Sequence, residues 1–202
     1  MTQGSSSQKK NLRMHSLGNR EKQALLQVAR RALTLAVEGG ETHEDFSTDA
    51  SLTRSGAAFV TLHSGKRLRG CIGQLDWNEP LVQVVAYCAK AAALEDPRFE
   101  PVRPGELSGI EIEISVLSPL EEIASDKIRV GEHGLVVSRG WQRGVLLPQV
   151  ATQYRWDAMR LLEETCVKAG LDRDAWKDPT TRVYGFSAEV FSEAEFKPQP
   201  EG

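Results

Sequence analysis

The chain is poor in the residues that staple or metallate small folds. Its 202 residues hold only three cysteines, Cys71, Cys88 and Cys166, and four histidines, His15, His43, His63 and His133, all widely spaced. No Cys-x-x-Cys pair or Cys/His cluster occurs, so neither a zinc site nor a disulfide framework is expected. No apolar run approaches the ~18–20 residues needed to span a bilayer. Positive charge is not in surplus either. A formal net charge of −3 argues against a dedicated nucleic-acid binder, which would carry a basic face. Residues 1–16 (MTQGSSSQKKNLRMHS) lack the apolar core of a secretory leader and read as a disordered tail, as do residues 194–202. The Rossmann, Walker, Gly-x-Ser-x-Gly and His-Glu-x-x-His signatures are all absent. These absences set the expectation of a soluble, cytoplasmic, reduced protein with no metal or cofactor.

What is present is an ordinary globular composition, 40% hydrophobic and 26% charged with 17 glycines. The length suits one domain, or one core with a smaller lobe. Leu25, Val28, Ala29, Ala32, Leu33 and Ala36 recur at helical spacing behind Asn19 as cap, and Gly39-Gly40 ends that run. Glu41 to Ser55 is polar and reads as a loop. Asn78 is read as the cap of a second helix, with Pro80 in its first turn. Its buried stripe is Leu81, Val84, Val85, Cys88, Ala91 and Ala92, which makes Cys88 a core residue. Ile110 to Leu117 (IEIEISVL) alternates as a half-buried strand. A second hairpin is expected with strands at 135–138 and 145–147 around a long turn. A helix is expected over 155–169, closed by Gly170 with Leu171 behind it, then a short helix near 172–177. The last element is one strand over 182–191. Helices and strands do not alternate regularly, so the fold class is α+β: a mostly antiparallel sheet flanked by helices, with a smaller lobe.

The most informative stretch is Arg67-Leu68-Arg69-Gly70-Cys71-Ile72-Gly73, the second strand of a hairpin begun by Ala57 to His63. With Ser64-Gly65 as the loop, Phe59 pairs with Gly70 and Ala58 with Cys71. Strict alternation then puts Arg67, Arg69 and Cys71 on one face. Two guanidiniums along a thiol favour the thiolate, the nucleophilic and metal-binding form. Gly70 and Gly73 allow close approach of a ligand or another backbone. The plain structural alternative is a buried cysteine, glycines at a bulge, and arginines on a solvated edge. Glu111 and Glu113 share one strand face and could serve acid/base work, although such a pair is more often the wet side of a sheet. Asp96 and Arg98 straddle Pro97 and read as a local ion pair. His133 is a base for Cys71 only if the fold joins them. His63, at the hairpin tip, reads as solvated, and Trp141, Trp156 and Trp176 as packing residues.

Three segments in order, LRGCIGQL at 68–75, EDPRFEPV at 95–102 and IEIEISVLSPLEEI at 110–123, resemble the AMMECR domain family, also called AmmeMemoRadiSam system protein A. GEHGLVV at 131–137, RGVLLPQVA at 143–151, KAGL at 168–171 and FSAEVF at 186–191 extend the resemblance over residues 17–193, a single domain of two lobes. The resemblance implies an α+β fold and an association with a Memo-type protein and a radical SAM protein. Neither partner is part of this sequence, which has no Cys-x3-Cys-x2-Cys motif. It also places Arg69, Gly70, Cys71, Ile72 and Gly73 in the family signature, with Asp96, Arg98 and Phe99 in a second and Leu147, Pro148 and Gln149 in a third. The expectation is that these three segments converge on one cleft. Two readings follow. In the preferred one, the chain docks a partner or a small anionic ligand through Arg67, Arg69, Gly70, Gly73, Asp96, Arg98 and Gln149. In the other, Cys71 is a nucleophile or redox thiol, with Glu113 or His133 carrying the proton.

Overall fold

The structure, a computed structural model, describes residues 16–40 and 50–196. Most of the expected tails, and residues 41–49 of the expected loop, lie outside the described residues. In chain order the elements are α1 (Asn19–Glu38), β1 (Ala57–Ser64), β2 (Arg67–Gln74), α2 (Leu81–Leu94), β3 (Ile110–Leu117) and the two-residue β4 (Glu121–Glu122). Then come β5 (Gly134–Arg139), β6 (Gln142–Leu146), α3 (Pro148–Tyr154), α4 (Ala158–Lys168), β7 (Arg182–Phe186) and β8 (Ala188–Ser192). They build an α+β fold of two four-stranded antiparallel sheets, ordered β2-β1-β3-β8 and β4-β7-β5-β6.

In the first lobe, α1 and α2 cover one face of the first sheet. The cap of α1 is Gly18 rather than Asn19, because the Glu21 carboxylate accepts the Gly18 N–H at 2.8 Å. Gly39, at φ 78°, closes the helix in the left-handed conformation. Asn78 does not cap α2; it lies in the preceding turn and the helix begins after Pro80. The expected α2 stripe is buried throughout, Cys88 included, against Val60, Leu62, Ile112, Ile114 and Phe191 of the sheet. Each fully buried Leu or Val in that layer contributes about 1.5–3 kcal/mol. Residues 194–196, expected in the terminal tail, belong to a 3-10 turn, Glu193–Phe196, packed on this lobe. Glu193 anchors it by accepting from Arg30 Nε at 2.9 Å and Ile112 N at 3.0 Å.

The second lobe is the β4-β7-β5-β6 sheet with α3 and α4. Its hairpin is tighter than expected, with Gly140-Trp141 alone as the turn between β5 and β6. Trp141 is consequently no packing residue: it is 92% exposed at the tip. The helix expected over 155–169 is interrupted. Arg155 takes a left-handed conformation (φ 56°) after α3, and the Asp157 side chain then caps α4 by accepting Arg160 N–H at 2.7 Å. At the far end Leu171 N–H returns to Cys166 O at 3.0 Å across Gly170, with Leu171 buried, as the KAGL stop requires.

The expected single strand 182–191 is two strands in different sheets, because the chain passes from one lobe to the other at Ser187. It meets the outgoing crossing after β3 there. Ser118 N–H donates to Ser187 O at 2.9 Å, and Ser187 N–H donates to Ser118 Oγ at 2.9 Å. Around these crossings an apolar seam of Ala57, Leu117, Val136 and Phe186 joins the lobes, flanked by Phe59, Leu75, Trp77 and Leu147.

Candidate functional site

The β1–β2 hairpin departs from the simple register. Its turn is Gly65-Lys66, Ser64 pairs with Arg67 and His63 with Leu68, but Leu62 pairs with Gly70. Arg69 is therefore the extra residue of a β-bulge, and strict alternation fails there. Phe59 opposes Gly73 and Thr61 opposes Cys71, in place of the expected Phe59–Gly70 and Ala58–Cys71 pairs. Both glycines are steric necessities. A Cβ on Gly70 would lie 2.0 Å from the Ala92 carbonyl oxygen of α2, and one on Gly73 would lie 2.1 Å from Phe59 Cδ1.

The bulge dissolves the expected row of arginines beside the thiol. Arg69 donates in bidentate fashion to the Glu106 carboxylate (3.0 Å from Nε and from Nη2) and to the carbonyl oxygens of Glu100 and Pro101. It pins the 100–106 connection to the sheet, and its guanidinium holds the Glu106 carboxyl below the usual carboxylate range. Arg67, opposite Ser64, takes the parity of the helix-covered face.

Asp96 and Arg98 converge on Cys71 as expected, but on its backbone. Because β2 is an edge strand, the N–H and C=O of Cys71 point away from β1 with no neighbouring strand to receive them. Asp96 Oδ2 accepts the Cys71 N–H at 2.8 Å, and Arg98 Nη2 donates to the Cys71 carbonyl at 3.2 Å. The two side chains are joined to each other at 2.7 Å. Arg98 beside it holds the buried Asp96 carboxyl down at about 2, and the same pairing raises Arg98. The DPRF turn thus stands in for one residue of an absent strand.

The Cys71 side chain lies on the face of the first sheet opposite α1 and α2. Register places Cys71, Thr61, Glu113 and Ser192 in one row across four strands. Thr61 Oγ1 donates to Cys71 Sγ at 3.4 Å. His63 and Glu111 form the next pair on the same face, and Phe59 with Ser115 the pair on the other side. Cys71, Thr61, His63, Glu111, Glu113 and Phe59 are all half-buried, where the second lobe leaves this face partly open. Burial pushes the Cys88 thiol up to about 12 and raises Cys166 too.

Of the expected site residues, the fold brings Cys71 and Glu113 onto one surface. It places Asp96 and Arg98 behind Cys71, and Gly70 and Gly73 in packing roles. His133 is elsewhere, in the second lobe: its Nδ1 accepts Arg129 N–H at 3.2 Å, and it lines a cavity of about 590 Å³ with Ser118, Glu121, Arg129 and Ser187. Leu147 joins the interlobe seam beside Phe59, so the third signature segment meets the hairpin through apolar packing. Gln149 is exposed and touches neither Cys71 nor Asp96 by hydrogen bond among the described residues. Sequence reasoning passed over Thr61 and set His63 aside as solvated. The alternation of AAFVTLHS, with Ala58, Val60 and Leu62 inward, was the signal that puts Phe59, Thr61 and His63 together outside. Among the described residues no group of three or more metal-ligating side chains is assembled, and no helix is long and apolar enough to cross a membrane.

Fold and site together define a two-lobed α+β protein with a main-chain-clamped cysteine facing a partly open sheet. The chain belongs to the AMMECR1 family, whose sequence profile matches residues 26–191. A protein of Methanothermobacter thermautotrophicus is 44% identical, covering 88% of this chain and 96% of its own length. Protein MK0488 of Methanopyrus kandleri is 40% identical over 90% of this chain and 91% of its own. The crystal structure of uncharacterized protein PH0010 from Pyrococcus horikoshii superposes with a TM-score of 0.78 at 40% identity, covering 84% of this chain and 89% of that one.

Proposed function

We propose that this AMMECR1-family chain is a docking protein whose working surface is the open face of the first sheet around Cys71. Its partners are the Memo-type and radical SAM proteins with which the family is associated. The observation carrying this reading is the treatment of Cys71 compared with its siblings. Cys88 and Cys166 are fully buried, as thiols used for packing are. Cys71 is held by its backbone on both sides while the residue stays only partly buried in a row of polar groups. Rigid main chain beneath a partly open polar face is what a specific contact surface needs. The test is calorimetric titration with the purified Memo-type protein of the same genome. Thr61→Lys, in the middle of the row, should abolish binding, and Cys71→Ala should leave it nearly intact. Wild-type binding by Thr61→Lys refutes the surface assignment.

One observation favours the catalytic alternative: the Thr61 hydroxyl donates to Cys71 Sγ, which stabilises a thiolate as well as a thiol. Under that reading Cys71→Ser folds normally and loses the cellular function, as does Cys71→Ala. Retention of function by both variants removes it.

A further inference from the structure

We infer that the group docked against the Cys71 face is positively charged, a basic side chain on a segment of the partner protein; the inference rests on the docking surface proposed above. The anion is the expectation from the sequence, which puts Arg67 and Arg69 along the thiol's face and counts Arg98 among the docking residues. Arg69 is withdrawn by the bulge onto Glu106 and two carbonyl oxygens. Arg98 is neutralised at 2.7 Å by Asp96, so the pair adds little net field at the edge of β2. Arg67 takes the parity of the other face.

The open face then carries the carboxylates of Glu111 and Glu113, the imidazole of His63 and the hydroxyl of Thr61, with no arginine among them. Glu113 lies two strands from Cys71, at a spacing of about 10 Å, with Thr61 between them. Half-buried, it has neither an ion pair nor a hydrogen bond among the described residues. An isolated carboxylate removed in part from water gains most from an incoming cation. Phe59, opposite Ser115, is its diagonal neighbour by register, but the ring leans the other way, over Gly73 of β2, and leaves the carboxylate as the group that would receive an ammonium or guanidinium. Glu111 lies on the same face one pair further on. Carboxylate and thiol hydrogen-bond partner come from β3 and β1, so the charge preference is built into the sheet rather than into a loop.

Cys71 itself supplies the reporter. The full-length protein is treated with three small disulfides: cystamine, which is cationic; bis(2-hydroxyethyl) disulfide, which is neutral; and 3,3′-dithiodipropionate, which is anionic. In each reaction the Cys71 thiolate attacks one sulfur, the new S–S bond forms as the old one breaks, and the small thiolate leaves. Rates at Cys71 are read by peptide mass spectrometry, and each is expressed relative to that reagent's rate with a small thiol in solution. The ratio between reagents is then independent of how much thiolate is present. Cystamine should lead the neutral reagent by roughly three- to ten-fold and the anion should trail it, the range expected for one charge at that spacing near a protein surface. Added salt should compress the order. Glu113→Gln should remove most of cystamine's lead. Equal rates, or an anion that leads, overturn the cationic preference and leave the docking surface standing. A cystamine lead untouched by Glu113→Gln overturns the role given to Glu113. Failure of all three reagents to reach Cys71 overturns the docking surface as well.

Discussion

A Cβ added to Gly70 would fall 2.0 Å from the carbonyl oxygen of Ala92, so β2 and α2 meet there backbone to backbone. The first glycine of the signature is a packing residue, set by the approach of a helix to a sheet rather than by a ligand. Gly70→Ala must push α2 off the sheet or break the hairpin. The expected loss is about 3 kcal/mol or more, at the upper end for overpacking because the obstacle is main chain. Urea denaturation of the purified variant, or its failure to fold, measures it.

Gly73 poses a different problem, because the obstacle is the Phe59 ring, a side chain that can be trimmed. Gly73→Ala alone should cost roughly 1–3 kcal/mol. In the Phe59→Leu background the same change should cost much less, a coupling a double-mutant cycle resolves. Additive costs would show that Gly73 is needed for its backbone alone.

Acid should break the Cys71 clamp only after it has broken ordinary ion pairs. Arg98 holds the folded Asp96 carboxyl at about 2 against an ordinary value of 3.8. A depressed carboxyl stabilises the fold fully above its unfolded value, and the contribution disappears as pH falls from about 4 through 2. The difference is worth roughly 2 kcal/mol at most, since Arg98 is itself half-exposed. Wild-type stability should therefore fall over that window by more than the stability of Asp96→Asn. Parallel pH profiles for the two proteins would remove Asp96 from the account.

The three thiols should separate cleanly under alkylation of the native protein at pH 8. Burial holds Cys88 and Cys166 protonated and shielded, and both should label only on unfolding. Cys71, only partly buried, should label in the native state. Labelling of Cys88 at the native rate of Cys71 would contradict the packing of α2 on the sheet.

The periodic elements were legible because their signals are local. IEIEISVL is a strand over the residues its alternation marks, and the α2 stripe is buried residue for residue. The Gly170 stop forms as written, since a left-handed glycine with an apolar residue behind it closes a helix in any surroundings. Where the expectation failed, a distant contact had taken control. The strand pattern of 182–191 is continuous in sequence, yet Ser187 bonds with Ser118 and divides it between two sheets. Nothing near Ser187 announces that.

The site shows the same division more sharply. Residue identity alone determined that the LRGCIG and DPRF segments belong together, that Cys88 is core, and that the fold class is α+β. Tertiary structure alone decided what each residue of those segments does. One extra residue at Arg69 shifts the strand's parity, and a parity error moves every side chain beyond it to the other face. That shift delivers Arg69 to a carboxylate and two carbonyls, puts Arg67 on the other face, and leaves the thiol in a row with Thr61 and Glu113. The bulge meets a hairpin turn, a helix carbonyl and a distant carboxylate together, and the last two, from Ala92 and Glu106, are 22 and 37 residues along the chain from the Gly70 and Arg69 they meet.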